Sequence, residues 1–438
     1  MLQCSRRLTR SLAAAAQSVS FLMMSSSQTP VWRSHFHDGI SCPEISPISQ
    51  QMIDYALSLA RSQKSDESYG QALLVLEQCS DFQCSQKQDD VTHNSKGMAL
   101  LAMSNLLYGR GNYDAAMEKL QAIESLGHSS LDVRVAAKEA LVGLNLILGH
   151  DDSSSKLANE CLEYLRKDDL KSNGRHLEAL RARIKAICGL VELAHGNLKS
   201  AKGFYQGFEK NDGFVGGGSS FRSSALSYGQ FLHITRNFSL ARKLYERVMQ
   251  EELEKKNFTD TDYLSTCNIT PVEVSIAATC ALGQLELHMG NFGDAEATLT
   301  NALNKVEEQF GSHHSKVGVV LTCMALVFRH RSKQEGSSSL LIQEGLYRRA
   351  IELLNAPPLE SEGVLNTLET GSDIVAFARG GYAATLLIQH NRRDEGERTM
   401  KWAENAWKNR RILLSEVLEF PKSSVTLPIL DTRFHRVL

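Results

Sequence analysis

One turn, rewritten along the chain, constrains this sequence more than any other feature. "GRGNYDAAMEKL" (109–120), "AHGNLKSAKGFY" (194–205) and "HMGNFGDAEATL" (288–299) share a glycine, an asparagine, a bulky residue and then a small one. "TRNFSLARKLYERV" (235–248) repeats the pattern with Arg236 in the glycine's place. Self-similarity at a period of tens of residues marks a repeat architecture, in which each unit buries its apolar face against the next. Anchored on the small residue after each turn, the copies fall at Ala72, Ala116, Ala158, Ala201, Ala241, Ala295, Gln343 and Gly396. The intervals are 44, 42, 43, 40, 54, 48 and 53 residues.

Four residues after each anchor comes a large side chain: Leu76, Leu120, Leu162, Tyr205, Tyr245, Leu299, Tyr347 and Met400. Three further on is another apolar or small one, from Cys79 and Ile123 to Ala350 and Ala403. Steps of four and three keep one stripe of a helix facing inward. Upstream of several anchors lies another small residue (Ser104, Gly189, Gly229, Gly283, Ala325, Ala384), which predicts a tight crossing with a preceding helix. Gly283 with Ala295, and Gly189 with Ala201, are the expected touching pairs. Gly111, Gly196 and Gly290 should end each first helix in the left-handed conformation, which glycine adopts without a Cβ penalty. Arg236 implies that its turn closes differently. Tyr113, Leu198, Phe238 and Phe292 should plug the corner, and Asp114, Ser200 and Ser239 should start the second helices. The reading is all-α: a solenoid of antiparallel helix pairs, about 7–8 degenerate repeats over 48–410, with a tail at 411–438 that is partly helical or extended.

The order small, small, aromatic or Leu, small resembles the tetratricopeptide repeat. "YGQFLHITRNFSLARKLYERV" (228–248) and "LGQLELHMGNFGDAEATLTNAL" (282–303) carry the resemblance. The long period is closer to the variant of the kinesin light chain and nephrocystin type, whose junction is matched by Gly311, His314 and Val317, with Ser315 where a proline is usual. The resemblance implies a right-handed superhelix whose first helices line a concave groove. Its groove positions give a candidate peptide site of Gln230, His233, Gln284, His288, Arg329 and His330. Amides and imidazoles there can hydrogen-bond the backbone of a bound extended or helical peptide. Histidines one repeat apart should stand about 10 Å or more from each other, too far to share a metal. Of the carboxylate clamp used by chaperone-tail-binding repeats only Asn105 is present, and His313–His314 read as holding the loop between repeats.

Composition narrows function. A net charge of -2, with no cluster of Lys/Arg and aromatics beyond residue 40, argues against a nucleic-acid partner. Cys79, Cys84 and His93 match no zinc spacing, and the glycine-rich 212–224 lacks the Gly-Lys-Ser/Thr ending of a phosphate loop. Neither a metal nor a cofactor is expected, and no catalytic constellation recurs, so the chain reads as no enzyme. The nine cysteines lack any Cys-x-x-Cys and suit small buried hydrophobes in a reducing compartment. There is no apolar stretch of membrane-spanning length. Residues 1–37 hold Arg6, Arg7, Arg10 and Arg33, eight serines and no acid, the pattern of a transit peptide. Its removal would leave 44 basic and 50 acidic residues.

The expected protein is a non-catalytic interaction scaffold or adaptor of an organelle, most readily the mitochondrial matrix, with plastid or cytoplasm as alternatives. It would hold or assemble a multi-subunit complex through its groove, with other proteins as partners. An organellar RNA-binding repeat protein and a cytosolic motor-adaptor-like protein are the competing readings. The first expects a shorter period and a basic groove; the second expects heptads where "CPEISPIS" (42–49) stands.

Overall fold

The structure, a computed structural model, describes residues 43–84, 89–168, 175–208, 219–254, 270–336, 339–359, 372–407, 409, 412–419 and 426–438. The basic segment 1–37 and most of the insertions at 212–224 and 255–268 lie outside the described residues.

Among the described residues the chain is a solenoid of helix pairs. The pairs are α1 (Pro47–Gln63) with α2 (Asp66–Cys84), α3 (Asp90–Gly109) with α4 (Tyr113–Glu124), and α5 (Leu131–Leu148) with α6 (Asp151–Asp168). Next come α7 (Arg175–Ala194) with α8 (Leu198–Tyr205), and α9 (Ser219–Ile234) with α10 (Phe238–Glu254). Then follow α11 (Pro271–Met289) with α12 (Phe292–Phe310), α13 (Ser315–Glu335) with α14 (Leu340–Leu353), and α15 (Ser372–Leu386) with α16 (Arg393–Ala406). A short α17 (Leu414–Glu419) and a hairpin of β1 (Leu430–Asp431) and β2 (Arg436–Val437) follow. Each first helix also packs on the first helix of the next pair, so the odd-numbered helices form the inner layer.

The repeated turn has one geometry. Gly111, Gly196 and Gly290 take φ of 73°, 75° and 83°, and the next asparagine's N–H reaches back to the carbonyls of Leu107, Glu192 and Glu286 at 3.0, 2.8 and 2.9 Å. These left-handed closures satisfy carbonyls that a helix end would leave open. Arg236 corrects the expectation of a different closure. It takes φ 63°, and Asn237 bonds Leu232 O at 2.7 Å, so the glycine geometry is kept by a residue with a Cβ. The cap of the second helix also lies earlier than expected: Asn112 and Asn197, two and three positions before Asp114 and Ser200, precede their helices, as Asn291 does in its copy, and the Asn112 side chain accepts from Ala115 N. Asp114 lies inside the first turn, where a carboxylate favours the positive end of the helix dipole.

The anchors are buried as the periodicity requires, Ala116, Ala201, Ala241 and Ala295 completely. The tight crossing, however, joins each inner glycine to the large residue four places after the anchor. A Cβ on Gly189, Gly229 or Gly283 would lie 2.5, 2.7 and 2.7 Å from side-chain atoms of Tyr205, Tyr245 and Leu299. Glycine is needed there because a wide ring or isobutyl group occupies the groove between the helices, and the anchor alanines lie beside that contact. At the 311–317 junction His314 caps α13, its Nδ1 accepting from Lys316 N at 3.2 Å. His313 meets Arg349 instead.

The array curves until early and late pairs touch. Lys64 Nζ, after α1, donates to Glu308 O at 2.9 Å, and the Lys316 ammonium lies 5.2 Å from the Tyr108 ring centroid. Inside this curve sits the hairpin. Its Ile429, Phe434 and Leu438 join the apolar core of the earlier pairs, and its Leu430 and Val437 join that of the later ones. No described helix is long and apolar enough to cross a membrane.

Candidate functional site

The inner face of a helix-pair solenoid exposes every third or fourth residue of its first helices, and those residues decide what the groove can hold. On α9 the stripe is Ser223, Ser227, Gln230 and His233; on α11 it includes Cys280, Gln284 and His288. All of Leu427–Leu438 except Thr432 is buried against such residues, so the groove is filled by the chain's own tail.

The tail is held as a groove holds a peptide. Gln284 clasps one residue on both sides: its Nε2 donates to Leu430 O at 2.9 Å, and its Oε1 accepts from Leu430 N at 2.8 Å. Tyr108 Oη donates to Arg433 O at 3.4 Å and Asn409 Nδ2 to Val437 O at 3.0 Å. One backbone bond joins the tail to an inner helix end, from Leu427 N to Ile234 O at 3.2 Å. The hairpin pairs with itself, Leu430 opposite Val437 and Asp431 opposite Arg436, and Ile429 exchanges both backbone bonds with Leu438.

At the hairpin's turn Asp431 accepts from Arg433 N at 2.9 Å and from the Arg433 guanidinium at 2.8 Å, with both side chains almost wholly buried. The same guanidinium donates to Ser223 Oγ, Ser227 Oγ and Gln230 Oε1 at 3.3, 3.2 and 2.8 Å. A buried charge needs this kind of full satisfaction, because desolvation otherwise outweighs the attraction. Arg436 reaches the other wall, paired with Asp151 and 4.0 Å from Asp373. Beside Phe434, among the described residues, lies a small cavity of about 40 Å³, partly open to solvent and lined in part by Gly143, Ala186 and Leu190. Glu139 borders it, paired with Arg183, and burial still pushes its carboxyl above the usual range.

Of the residues singled out from sequence, the structure brings Gln230 and Gln284 onto the tail and places the others around it. His233 Nε2 and His288 Nδ1 are 2.8 Å apart, which overturns the separation of about 10 Å expected for successive repeats. Tyr245 Oη lies 3.3 Å from His233 Nδ1. A neutral pair fits: Tyr245 donates to His233, and His233 donates to His288. Burial, reinforced by neighbouring charge, holds His233 well below the ordinary histidine range and His288 down to about 3. Arg329 Nη2 donates to Glu419 on α17 at 2.5 Å, and His330 is held down to about 4 by burial and by Arg329. Among the described residues no group of three His, Cys, Asp or Glu side chains is placed to hold a metal. Cys79, Cys161, Cys188, Cys280 and Cys323 are buried free thiols.

Sequence reasoning missed Ser223, Ser227, Asp431 and Arg433. A signal was present: "TLPILDTRFHRVL" (426–438) is too apolar for a free polar tail, and its Asp-Thr-Arg suits a turn.

These features define a class: an all-α solenoid of helix pairs whose inner face holds an extended peptide segment, here one of its own. No protein-family model matches the chain, and no curated protein is similar to it in sequence.

Proposed function

We propose that this protein is a non-catalytic interaction scaffold of the tetratricopeptide type, acting in an organelle, with the mitochondrial matrix as its compartment. It holds a subunit or an assembly intermediate of a larger complex on the inner face of the solenoid. The observation that carries the reading is the Gln284 clasp on Leu430, in which an inner-face amide satisfies both polar groups of one extended residue. Main-chain hydrogen bonds of this kind give affinity for a peptide, and flanking pockets select its side chains. The array's wrong period and the acidic balance of residues 38–438 disfavour the RNA-binding alternative, and the compartment rests on the acid-free, arginine-rich 1–37.

The test is affinity purification of the tagged chain from isolated mitochondria, with mass spectrometry, beside the location of a fluorescent fusion to residues 1–40. Recovery of the subunits of one complex is the expected result. A cytosolic fusion sinks the compartment, and a chain that recovers no complex with its groove filled or emptied sinks the scaffold.

A further inference from the structure

The groove and the hairpin complement each other as two molecules do. Arg433 is neutralised by Asp431 of the same hairpin, and the groove residues that touch it, Ser223, Ser227 and Gln230, are neutral. Departure of the hairpin therefore removes the Asp431–Arg433 pair whole, and Glu139, the buried groove carboxylate that feels Arg433, keeps its own partner Arg183, so the cost of breaking a buried ion pair is not incurred there. Arg436 makes two charged contacts with the wall: Asp151 is a third exposed, so water replaces that bond, and Asp373, which is buried, stands at the longer distance of 4.0 Å. The helix pairs, in turn, are closed by their own apolar contacts, such as Gly229 on Tyr245, in which the hairpin takes no part. Layers of a solenoid rest on their neighbours, and an occupant of the inner face is not needed to stack them. The exit is the meeting of early and late pairs, where the contacts include a single amine-to-carbonyl bond at Lys64 and a cation over the Tyr108 ring.

The geometry points to Leu427–Leu438 as an occupant in cis that is exchanged for a partner segment of the same chemistry. This rests on the scaffold reading above. The partner is a protein segment that is basic and apolar and folds as a short hairpin. Its one acid neutralises an arginine at the turn, a second arginine meets Asp151, and aliphatic or aromatic side chains replace Ile429, Leu430, Phe434 and Val437. The charge balance favours it: the hairpin brings two arginines and one aspartate to a groove whose rim offers Asp151 and Asp373. A neutral or acidic peptide would leave that rim without counter-charge.

The test uses the full chain with a protease site inserted between residues 423 and 424. After cleavage, a fluorescent peptide of residues 426–438 is added and its anisotropy is followed, with helical circular dichroism recorded throughout. Expected is uptake of the peptide by the cut chain with unchanged helical signal, at least tenfold weaker uptake of the peptide carrying Arg433→Ala, and weaker uptake by chains carrying Gln284→Ala or Asp151→Asn. The inference is overturned if the cut hairpin stays in place until denaturant melts the helices. It is equally overturned if helical signal is lost when the hairpin leaves, or if a scrambled peptide binds as well. Peptide exchange without capture of any organellar subunit would support the hairpin as occupant and sink the scaffold.

Discussion

The helix-pair seams and the hairpin's bed are both buried, yet they are built from opposite materials. At a seam, glycine faces a ring or a leucine, as at Gly189–Tyr205 and Gly283–Leu299, and polar exchange is confined to a tyrosine hydroxyl, Tyr205 on Ala186 O at 3.5 Å and Tyr245 on His233 at 3.3 Å. At the bed, amides, hydroxyls and a guanidinium meet backbone groups and each other. Packing of the first kind depends on volume and tolerates no gap. Packing of the second kind depends on every polar group finding its partner, so it specifies an occupant more than it stabilises one.

The largest effect should come from the seam. Tyr245 is completely buried, its ring fills the space against Gly229, and its hydroxyl meets His233. Tyr245→Ala should lower the free energy of unfolding by about 4 kcal/mol, the usual range for an emptied aromatic site. Urea titration followed at 222 nm measures this, and loss of helical signal should accompany it. A loss below about 1 kcal/mol would mean that the seams do not carry the stability.

The bed should answer differently. Arg433→Ala leaves Asp431 buried without its cation, a change worth about 3 kcal/mol if the hairpin stays docked. Undocking would hydrate Asp431 and cap the cost below that figure, with helical signal preserved. The double change Asp431→Leu with Arg433→Met removes both charges and should recover most of the loss. If the single variant unfolds the helices as Tyr245→Ala does, bed and seam are energetically one.

Protons should separate the two regions further. Burial holds His233 and His288 in the neutral form, and it holds His435, in the hairpin beside Lys316, His314, Asp431 and Glu273, down to about 4. The sign follows: unfolded histidines take up protons below about pH 6.5, while these stay neutral in the fold, so the unfolded state binds more protons. Stability is full above that pH and falls as pH drops towards 4, by up to about 1.4 kcal/mol per pH unit for each fully linked histidine. All three lie at the bed, so hydrogen exchange at the amides of Leu427, Ile429 and Leu438 should accelerate on acidification before that of the outer helices. Uniform acceleration along the array would contradict this.

These differences also explain what could be read in advance. A seam is written within about forty residues, as a turn, a small residue and a large one, so its period survives in the sequence. Even there the contact was misplaced by one helical turn, because alanine and glycine look alike as small residues although only glycine admits the ring of Tyr205. The bed joins Ser223, Gln230 and Gln284 to residues 210, 203 and 146 positions away, and no local pattern encodes that meeting. Gln230 and Gln284 were legible as groove residues, and their occupant was not. The histidine contact was hidden for a related reason, since His233 and His288 approach only where two inner helices converge.

The smallest effect lies in the turn itself. Arg236 holds the left-handed conformation that glycine takes at 111, 196 and 290, with the same backbone closures. For a residue with a Cβ that conformation costs about 1 kcal/mol, and the gain on replacing it is reduced by glycine's greater freedom when unfolded. Arg236→Gly should therefore raise unfolding stability by a few tenths of a kcal/mol to about 1 kcal/mol, read as a higher urea midpoint at unchanged slope. A fall in the midpoint would show that the arginine side chain contributes more to the α9–α10 corner than its backbone takes away. The turn would then differ in kind from its three glycine copies, as the sequence had suggested.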